Sequence, residues 1–423
     1  MNTKIAIIGL GYVGLPLARL FSTKYPTMGF DLNPERIQML MTGHDDTHEV
    51  ENQLLQQSLK NGLQFTCQIE DLQDCNVYVV AVPTPVDKNN HPDLNPLQKA
   101  SELVGKVIST GDIVIYESTV YPGVTEEFCL PIIEKISGLT YNKDFFAGYS
   151  PERINPGDQE HTVEKIIKVT SGSMPEVADF VDNLYNSVLQ NGTFKAPSIK
   201  VAEASKIIEN AQRDVNIAFM NEIAKIFNAM EIDTHAVLEA AASKWNFLKF
   251  SPGLVGGHCI SVDPYYLIEK ALYYGIMPRV MSAARSLNDG MGEYVANEVM
   301  KLMNKKGILI KDAHILILGI TFKENCRDIR NTRVIDIYNI LKEYTPNITV
   351  FDPLANPKEI EEEFQITLET ENAGRLINKF DAIILAVAHN QFKEINLRNF
   401  GKTNCVVYDV KGVADLAQVD GRL

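Results

Sequence analysis

Apolar and polar positions follow two rhythms along this chain. Four short runs in its first part, "KIAIIGL" (4–10), "NVYVVAV" (76–82), "DIVIYES" (112–118) and "DFFAGYS" (144–150), are largely apolar. Such unbroken runs predict strands of a parallel sheet covered on both faces. Between them, "LPLARLFSTKY" and "PLQKASELVGKVIS" have helical patterns. This alternation is that of an open, doubly wound α/β sheet. From about residue 198 the rhythm changes. Residues 201–232 hold no Pro or Gly, and Ile207, Ala211, Val215, Ala218, Phe219 and Ile226 recur at helical spacing. A long helix is expected there, with further helices to about residue 304. Near 312 the first rhythm returns in "AHILILGI", "ITVFDP", "DAIILAVA" and "NCVVYDV". The expected division is 1–197, 198–304 and 305–423: sheet, helices, sheet.

The first βα turn adds chemistry. "IIGLGYVGLPLARL" sets Gly9, Gly11 and Gly14 in GxGxxG spacing after a strand and before a helix, and "TMGFDLN" places Asp31 at the end of the next strand. Together these form the dinucleotide fingerprint of a Rossmann-like domain. Gly9 allows the tight turn, Gly11 lets a pyrophosphate reach the backbone, and Gly14 permits close helix–strand packing. Tyr12 and Val13 complete the cradle at the helix N-terminus. Asp31 accepts from ribose hydroxyls and repels a 2′-phosphate, which favours NAD over NADP. Ligands of such sheets sit beyond the carboxyl ends of the strands. Val82, Pro83, Thr84, Ser118 and Thr119 are therefore candidates for the nicotinamide side. The fold expected is α/β: two Rossmann-like doubly wound parallel-sheet domains joined by a long-helix middle domain.

Composition narrows the partners. With 423 residues, 45% apolar and 22% charged, the chain can bury large cores. A net charge of −14 argues against a nucleic-acid surface. Six scattered cysteines without a CxxC pair read as reduced thiols. The chain starts directly into a strand, and no apolar run nears the roughly 18 residues of a membrane span. A cytoplasmic protein with no membrane partner and no metal site is expected.

One cysteine stands apart. "PGLVGGHCISVDPYY" places Cys259 behind Gly256, Gly257 and His258, just before an expected helix start with Asp263 as N-cap and Pro264 at its first position. Glycines let a substrate carbon approach the sulfur, and a helix N-terminus favours thiolate. An inert buried thiol is the bland alternative, and Cys67, Cys75, Cys129 and Cys405 read that way. On the long helix, Glu203, Lys206, Asn210 and Arg213 share one face, as either a solvated stripe or a set converging on an anionic substrate. "GYSPERINPG" sets Glu152 and Arg153 in a loop at a strand exit. A thiol beside a nicotinamide site has a use. A thiolate adds to an aldehyde, giving a thiohemiacetal that can lose a second hydride. The resulting thioester is cleaved by water. Two oxidations at one carbon become possible.

Several long motifs in order, "GLGYVGLPLA", "AVPTP", "ESTVYPGVTEE", "SPERINPG", "GGHCISVDPYYL" and "GITFKENCRDIRNT", resemble the UDP-glucose/UDP-N-acetylhexosamine 6-dehydrogenase superfamily essentially end to end. "SPERINPG" with "GLVGGHCISVDPYYL" is similar to the branch acting on UDP-N-acetylglucosamine or UDP-N-acetylgalactosamine. The glucose branch usually has serine where His258 stands. The resemblance implies Cys259 as nucleophile, Lys206 and Asn210 as oxyanion stabilisers, Glu152 as general base in thioester hydrolysis and Asp263 as support for thiol and water. It implies that Lys323 and Arg330 reach cofactor or substrate, and that Arg153, Asn155 and Arg213 lie near the sugar or its phosphates. Gly256, Gly257 and His258 would line the substrate. It further implies NAD on the first domain, the uridine part on the third, a homodimer through the middle helices, and supply of surface-polysaccharide precursors. Arg327 departs from the proline common at its position. Two other readings remain: a two-electron hydroxy-acid dehydrogenase, and a non-catalytic NAD-binding regulator.

Overall fold

The computed structural model describes residues 3–47, 49–87, 89–154, 162–369 and 376–423. It divides into two compact units, Met1–Glu209 with Tyr265–Ile276, and Asn210–Pro264 with Met277–Leu423.

The first unit is built on an eight-stranded sheet: β1 (Ile5–Ile8), β2 (Thr27–Phe30), β3 (Gln64–Thr66), β4 (Val77–Val80), β5 (Ile113–Tyr116), β6 (Phe146–Tyr149), β7 (Lys168–Gly172) and β8 (Thr193–Lys195). Its order is β3-β2-β1-β4-β5-β6-β7-β8. All pairs are parallel except β6 with β7. That antiparallel pair is a departure from the all-parallel sheet expected. The apolar runs are explained by burial on both faces. Ile5 and Ile7 belong to one core, Ala6 and Ile8 to the other.

The second unit holds β9 (Ile315–Leu318), β10 (Ile348–Phe351), β11 (Leu368–Glu369), β12 (Phe380–Leu385), β13 (Gly401–Asp409) and β14 (Gly421–Arg422). Its order is β11-β10-β9-β12-β13-β14, parallel throughout. Counted from its own first strand, this is the 3-2-1-4-5-6 order of a doubly wound dinucleotide fold. The first six strands of the other sheet follow the same order. Ile315 and Ile317 face one core, Leu316 and Leu318 the other.

The long helix runs Ile199–Ala229. Ile207, Ala211 and Ala218 are buried on it, whereas Phe219 and Ile226 are exposed together with Val201 and Ile208. Its apolar residues thus occupy more than the buried face. Among the described residues, no helix is long and apolar enough to cross a membrane.

Candidate active site

In the first unit, each glycine of the turn after β1 answers a different constraint. Gly9 has φ +92°, and a Cβ there would sit 2.9 Å from the Ala81 carbonyl oxygen. A Cβ on Gly14, the first residue of the helix Gly14–Phe21, would overlap the Gly9 carbonyl. Around Gly11 nothing lies within 4 Å of that position. The open face over Gly11 is where a pyrophosphate can approach, with Tyr12 and Val13 half-buried beside it. Asp31 follows β2 and is half-buried. Its Oδ2 accepts the Leu10 amide (2.9 Å) and its Oδ1 the Asn33 amide (2.9 Å). It lines a cavity with Leu10, Gly11, Asn33, Arg36 and Asp46. These features fit the pyrophosphate and adenosine ribose of NAD.

At the neighbouring strand ends, Val82 and Thr84 are half-buried and Pro83 is exposed. The Ser118 hydroxyl donates to the Val82 carbonyl at 2.6 Å, so it ties the exits of β4 and β5 together. Thr119 beside it is half-buried.

Glu152, in the loop after β6, is nearly buried. Its Oε1 accepts the amides of Arg153 (2.5 Å) and Ile154 (2.7 Å), and its Oε2 the Lys168 ammonium (3.2 Å). Lys168, at the start of β7, also donates to Glu117 (2.7 Å) and to the Pro151 carbonyl (3.3 Å), with no exposed surface. The Tyr185 hydroxyl donates to the other Glu117 oxygen. Burial pushes the Glu117 carboxyl up to about 7; Lys168 opposes the rise and Glu152 adds to it. The sequence does not single out this cluster. Its trace is a charged residue at each end of an apolar strand run, Glu117 and Lys168. Arg153 pairs with Glu209 (2.8 Å) and donates to the Ile167 carbonyl (2.7 Å). Asn155 lies outside the described residues.

On the long helix, Glu203, Lys206 and Asn210 are all buried, which removes the solvated-stripe reading for them; Arg213 is exposed. Glu203 accepts the amides of Gly123 (2.6 Å) and Thr125 (2.9 Å), so it anchors the loop after β5. Burial pushes its carboxyl up to about 7 against those two bonds. Lys206 is 6% exposed. Among the described residues, no hydrogen bond or ion pair engages its ammonium.

In the second unit, Cys259 is half-buried, as is Cys326. Cys75, Cys129 and Cys405 are buried, but Cys67, expected to be buried with them, is half-buried at the end of its strand. Burial pushes the Cys75 and Cys129 thiols up to about 11 and about 12, which keeps them inert. The turn before Cys259 is fixed by its glycines. Gly257 has φ +86°, and a Cβ there would meet the Phe322 ring at 2.7 Å; one on Gly256 would meet the Asn331 carbonyl at 2.6 Å. The Asn331 amide (3.1 Å) and the Ser261 hydroxyl (2.5 Å) both donate to the Gly257 carbonyl. The Cys259 carbonyl accepts the Asp263 amide at 2.9 Å. The helix Asp263–Tyr273 thus starts at Asp263 itself, one residue earlier than its expected capping role. Asn210 donates from its amide to Asp263 and accepts from Arg213, all three in this unit. Asp263 and Asn210 are buried.

His258 is tied to Asp328 through Nε2 (2.9 Å), and the Arg330 fork grips the same carboxylate (3.0 and 2.7 Å). Burial raises the Asp328 carboxyl, but His258 and Arg330 outweigh it and hold it well below the usual range. Lys323 lies over the Phe322 ring at 5.4 Å. Lys323 and Arg330 are half-buried, and Arg327 is exposed.

A glycine-gripped βα turn with an acid after the next strand marks a dinucleotide-binding fold, and comparison with known proteins narrows it. The UDP-glucose/GDP-mannose dehydrogenase family matches through its NAD binding domain at residues 3–189, its central domain at 200–290 and its UDP binding domain at 316–416. The chain belongs to this family and is an NAD-dependent dehydrogenase. Over its full length it is 55% identical to the UDP-N-acetyl-D-glucosamine 6-dehydrogenase of Pseudomonas aeruginosa, covering 100% of that protein. It is 52% identical to that of Salmonella typhi, covering 100% of this chain and 99% of the relative. The solved UDP-D-ManNAc dehydrogenase of Pyrococcus horikoshii superposes with a TM-score of 0.90 at 28% identity, covering 99% of this chain and 98% of that one.

Proposed function

We propose that this chain oxidises C6 of UDP-N-acetylglucosamine to the carboxylate by two successive hydride removals. NAD, when bound, accepts the hydride. The geometric observation that carries the reading is the thiol turn: a half-buried Cys259 preceded by a left-handed glycine and followed by a helix start. Support for the sugar comes from the two full-length relatives that act on it.

The residues divide the work. A base takes the C6 hydroxyl proton as the first hydride leaves, giving the aldehyde. The Cys259 thiolate adds to it, forming a C–S bond and an oxyanion. Lys206 and Asn210 stabilise that oxyanion. A nearly buried ammonium with no partner among the described residues is suited to such a charge, because an incoming anion restores what its desolvation removed. Loss of the second hydride leaves a thioester on Cys259. Glu152 takes a proton from water, the hydroxide oxygen adds to the thioester carbon, and the C–S bond breaks to return the thiolate. One water supplies the new oxygen. Asp263 supports Cys259 and the water through Asn210. Lys323 and Arg330 reach cofactor or substrate, and Arg153, Asn155, Arg213, Gly256, Gly257 and His258 bind the nucleotide sugar, with residues 1–197 serving NAD and 305–423 the uridine part.

The apolar stripe Ile208, Phe219 and Ile226 on the long helix is exposed in the monomer. We propose that a second copy covers it in a homodimer. The product feeds surface-polysaccharide synthesis, and a free thiol with NAD suits the cytoplasm.

The test is stoichiometric. Purified enzyme with UDP-N-acetylglucosamine should form two NADH per sugar consumed, and Cys259→Ser should form no acid. One NADH per sugar would support a two-electron dehydrogenase instead. Turnover of UDP-N-acetylgalactosamine alone would reassign the sugar.

A further inference from the structure

NADP-dependent Rossmann proteins place an arginine near the ribose acid, where it receives the 2′-phosphate. This NAD enzyme has such an arginine. Arg36 is the third residue of the helix Pro34–Met41 and lines the same cavity as Asp31.

What differs is how fully that arginine is occupied. A guanidinium has five N–H donors on three nitrogens, and here each of the three nitrogens is engaged. Nε (3.2 Å) and Nη2 (3.0 Å) both donate to the Leu10 carbonyl, and Nη2 also reaches the Thr47 hydroxyl at 3.4 Å. Nη1 pairs with Asp45 (2.8 Å) and with Asp46. Arg36 itself is buried.

The two acids serve different ends. Asp45 is 1% exposed and organises its own segment. One of its oxygens accepts from the Thr47 amide (3.1 Å) and hydroxyl (2.7 Å), the other from the amides of Glu49 (2.9 Å) and Val50 (3.0 Å). Burial raises its carboxyl, but these bonds and Arg36 outweigh that and leave it below the usual range. Asp46 has a half-exposed side chain, and among the described residues Arg36 is its one recorded partner. It stands in the cavity beside Asp31.

We propose that Asp46 is a second determinant of NAD over NADP: it occupies the Arg36 fork that would otherwise receive a 2′-phosphate, and it adds a negative charge beside that of Asp31. A 2′-phosphate entering here meets Asp31, Asp46 and Glu35 against one arginine whose nitrogens are all engaged. Removing Asp31 alone leaves the fork closed. Removing Asp46 as well leaves one Nη1 hydrogen free to turn to phosphate, which makes a short charge-assisted bond.

The test reads binding and does not depend on turnover. Dissociation constants of NAD and NADP are measured by calorimetry on the full-length parent, Asp31→Ser, Asp46→Ala, the double variant, and the double variant with Arg36→Leu. The ratio of the two constants is the readout, so partial loss of folded protein cancels. The double variant should bind NADP at least roughly tenfold more tightly than Asp31→Ser does, about the value of one charge-assisted bond. Arg36→Leu should remove most of that gain, leaving only the part due to lost repulsion. Equal NADP affinity in Asp31→Ser and the double variant would overturn the proposal. So would a gain that survives Arg36→Leu undiminished, which would reduce Asp46 to general repulsion. Asp46→Asn, which keeps the shape and loses the charge, repeats the comparison where alanine loosens the segment.

Discussion

Gly9 and Gly319 occupy the same place in two sheets of the same strand order. Each follows the first strand of its sheet with positive φ, +92° and +88°. Each faces an aspartate just past the second strand, Asp31 after β2 and Asp352 after β10. The local bonds match: Asp352 Oδ2 accepts the Ile320 amide at 2.7 Å and Oδ1 the Leu354 amide at 2.8 Å, as Asp31 does with Leu10 and Asn33. Beyond that the units part. Asp352 is buried and also accepts the amides of Thr321 (3.3 Å) and Ala355 (3.0 Å) and bonds His389 Nε2 (3.0 Å). His389 Nδ1 accepts the Asn325 amide (3.0 Å), which leaves the ring proton on Nε2 for the carboxylate. In the first unit the acid keeps an open side toward a cavity, where the proposed ribose contact would form. In the second the same acid has become a structural joint. Strand order therefore supplies the position, and the turn sequence, GLGYVG against GITFKE, decides its use.

That contrast can be broken most sharply in the second unit. Asp352→Ala orphans four amides and a histidine, so urea denaturation should show a loss of about 3–5 kcal/mol. NAD affinity should stay within about twofold. Unchanged stability with weakened NAD binding would reverse the assignment of the two acids. The companion change is smaller. Asp31→Ser should weaken NAD binding roughly tenfold by calorimetry, the value of about one charge-assisted bond to ribose, at a stability cost of about 1 kcal/mol.

The smallest effect concerns pH. Glu117 in the first unit has its folded value raised from 4.5 to about 7, mainly by burial. The folded state therefore holds a proton that the unfolded state has lost. Its stabilising effect is full below about pH 4.5 and disappears as pH rises to 7. Asp352 runs the other way: burial raises it, but His389 and the amides win and lower it from 3.8. Its contribution is present above that value and lost on further acidification. Glu117→Gln should thus gain stability relative to the parent between pH 5 and pH 8, by at most roughly 1.4 kcal/mol per pH unit. Thermal denaturation at both pH values measures it; a gain on acidification instead would contradict the sign.

Much of the fold was legible because it depends on local pattern. The runs at 4–10 and 313–320 are largely apolar since both faces of each sheet are buried, and the long helix follows from an unbroken helical spacing. The fingerprint was legible because its three glycines and Asp31 lie within one βα turn and the strand after it. Glu117 with Lys168 was not, since 51 residues separate them and only the sheet brings the pair together. The sealing of Asp352 by His389 escaped for the same reason: "VFDP" and "GFDL" look alike until a side chain 37 positions later closes one of them. The antiparallel β7 also carries no local mark, because a buried strand reads the same in either direction.

The plugged acid of the second sheet leaves one dinucleotide socket among the described residues, and for the proposed pair of oxidations the consequence is one of timing. In that scheme the first reduced carrier would have to depart and a fresh one arrive while the half-finished sugar waits. A covalent tether to sulfur is a way to make it wait, so release of free aldehyde would report how well the interval is guarded.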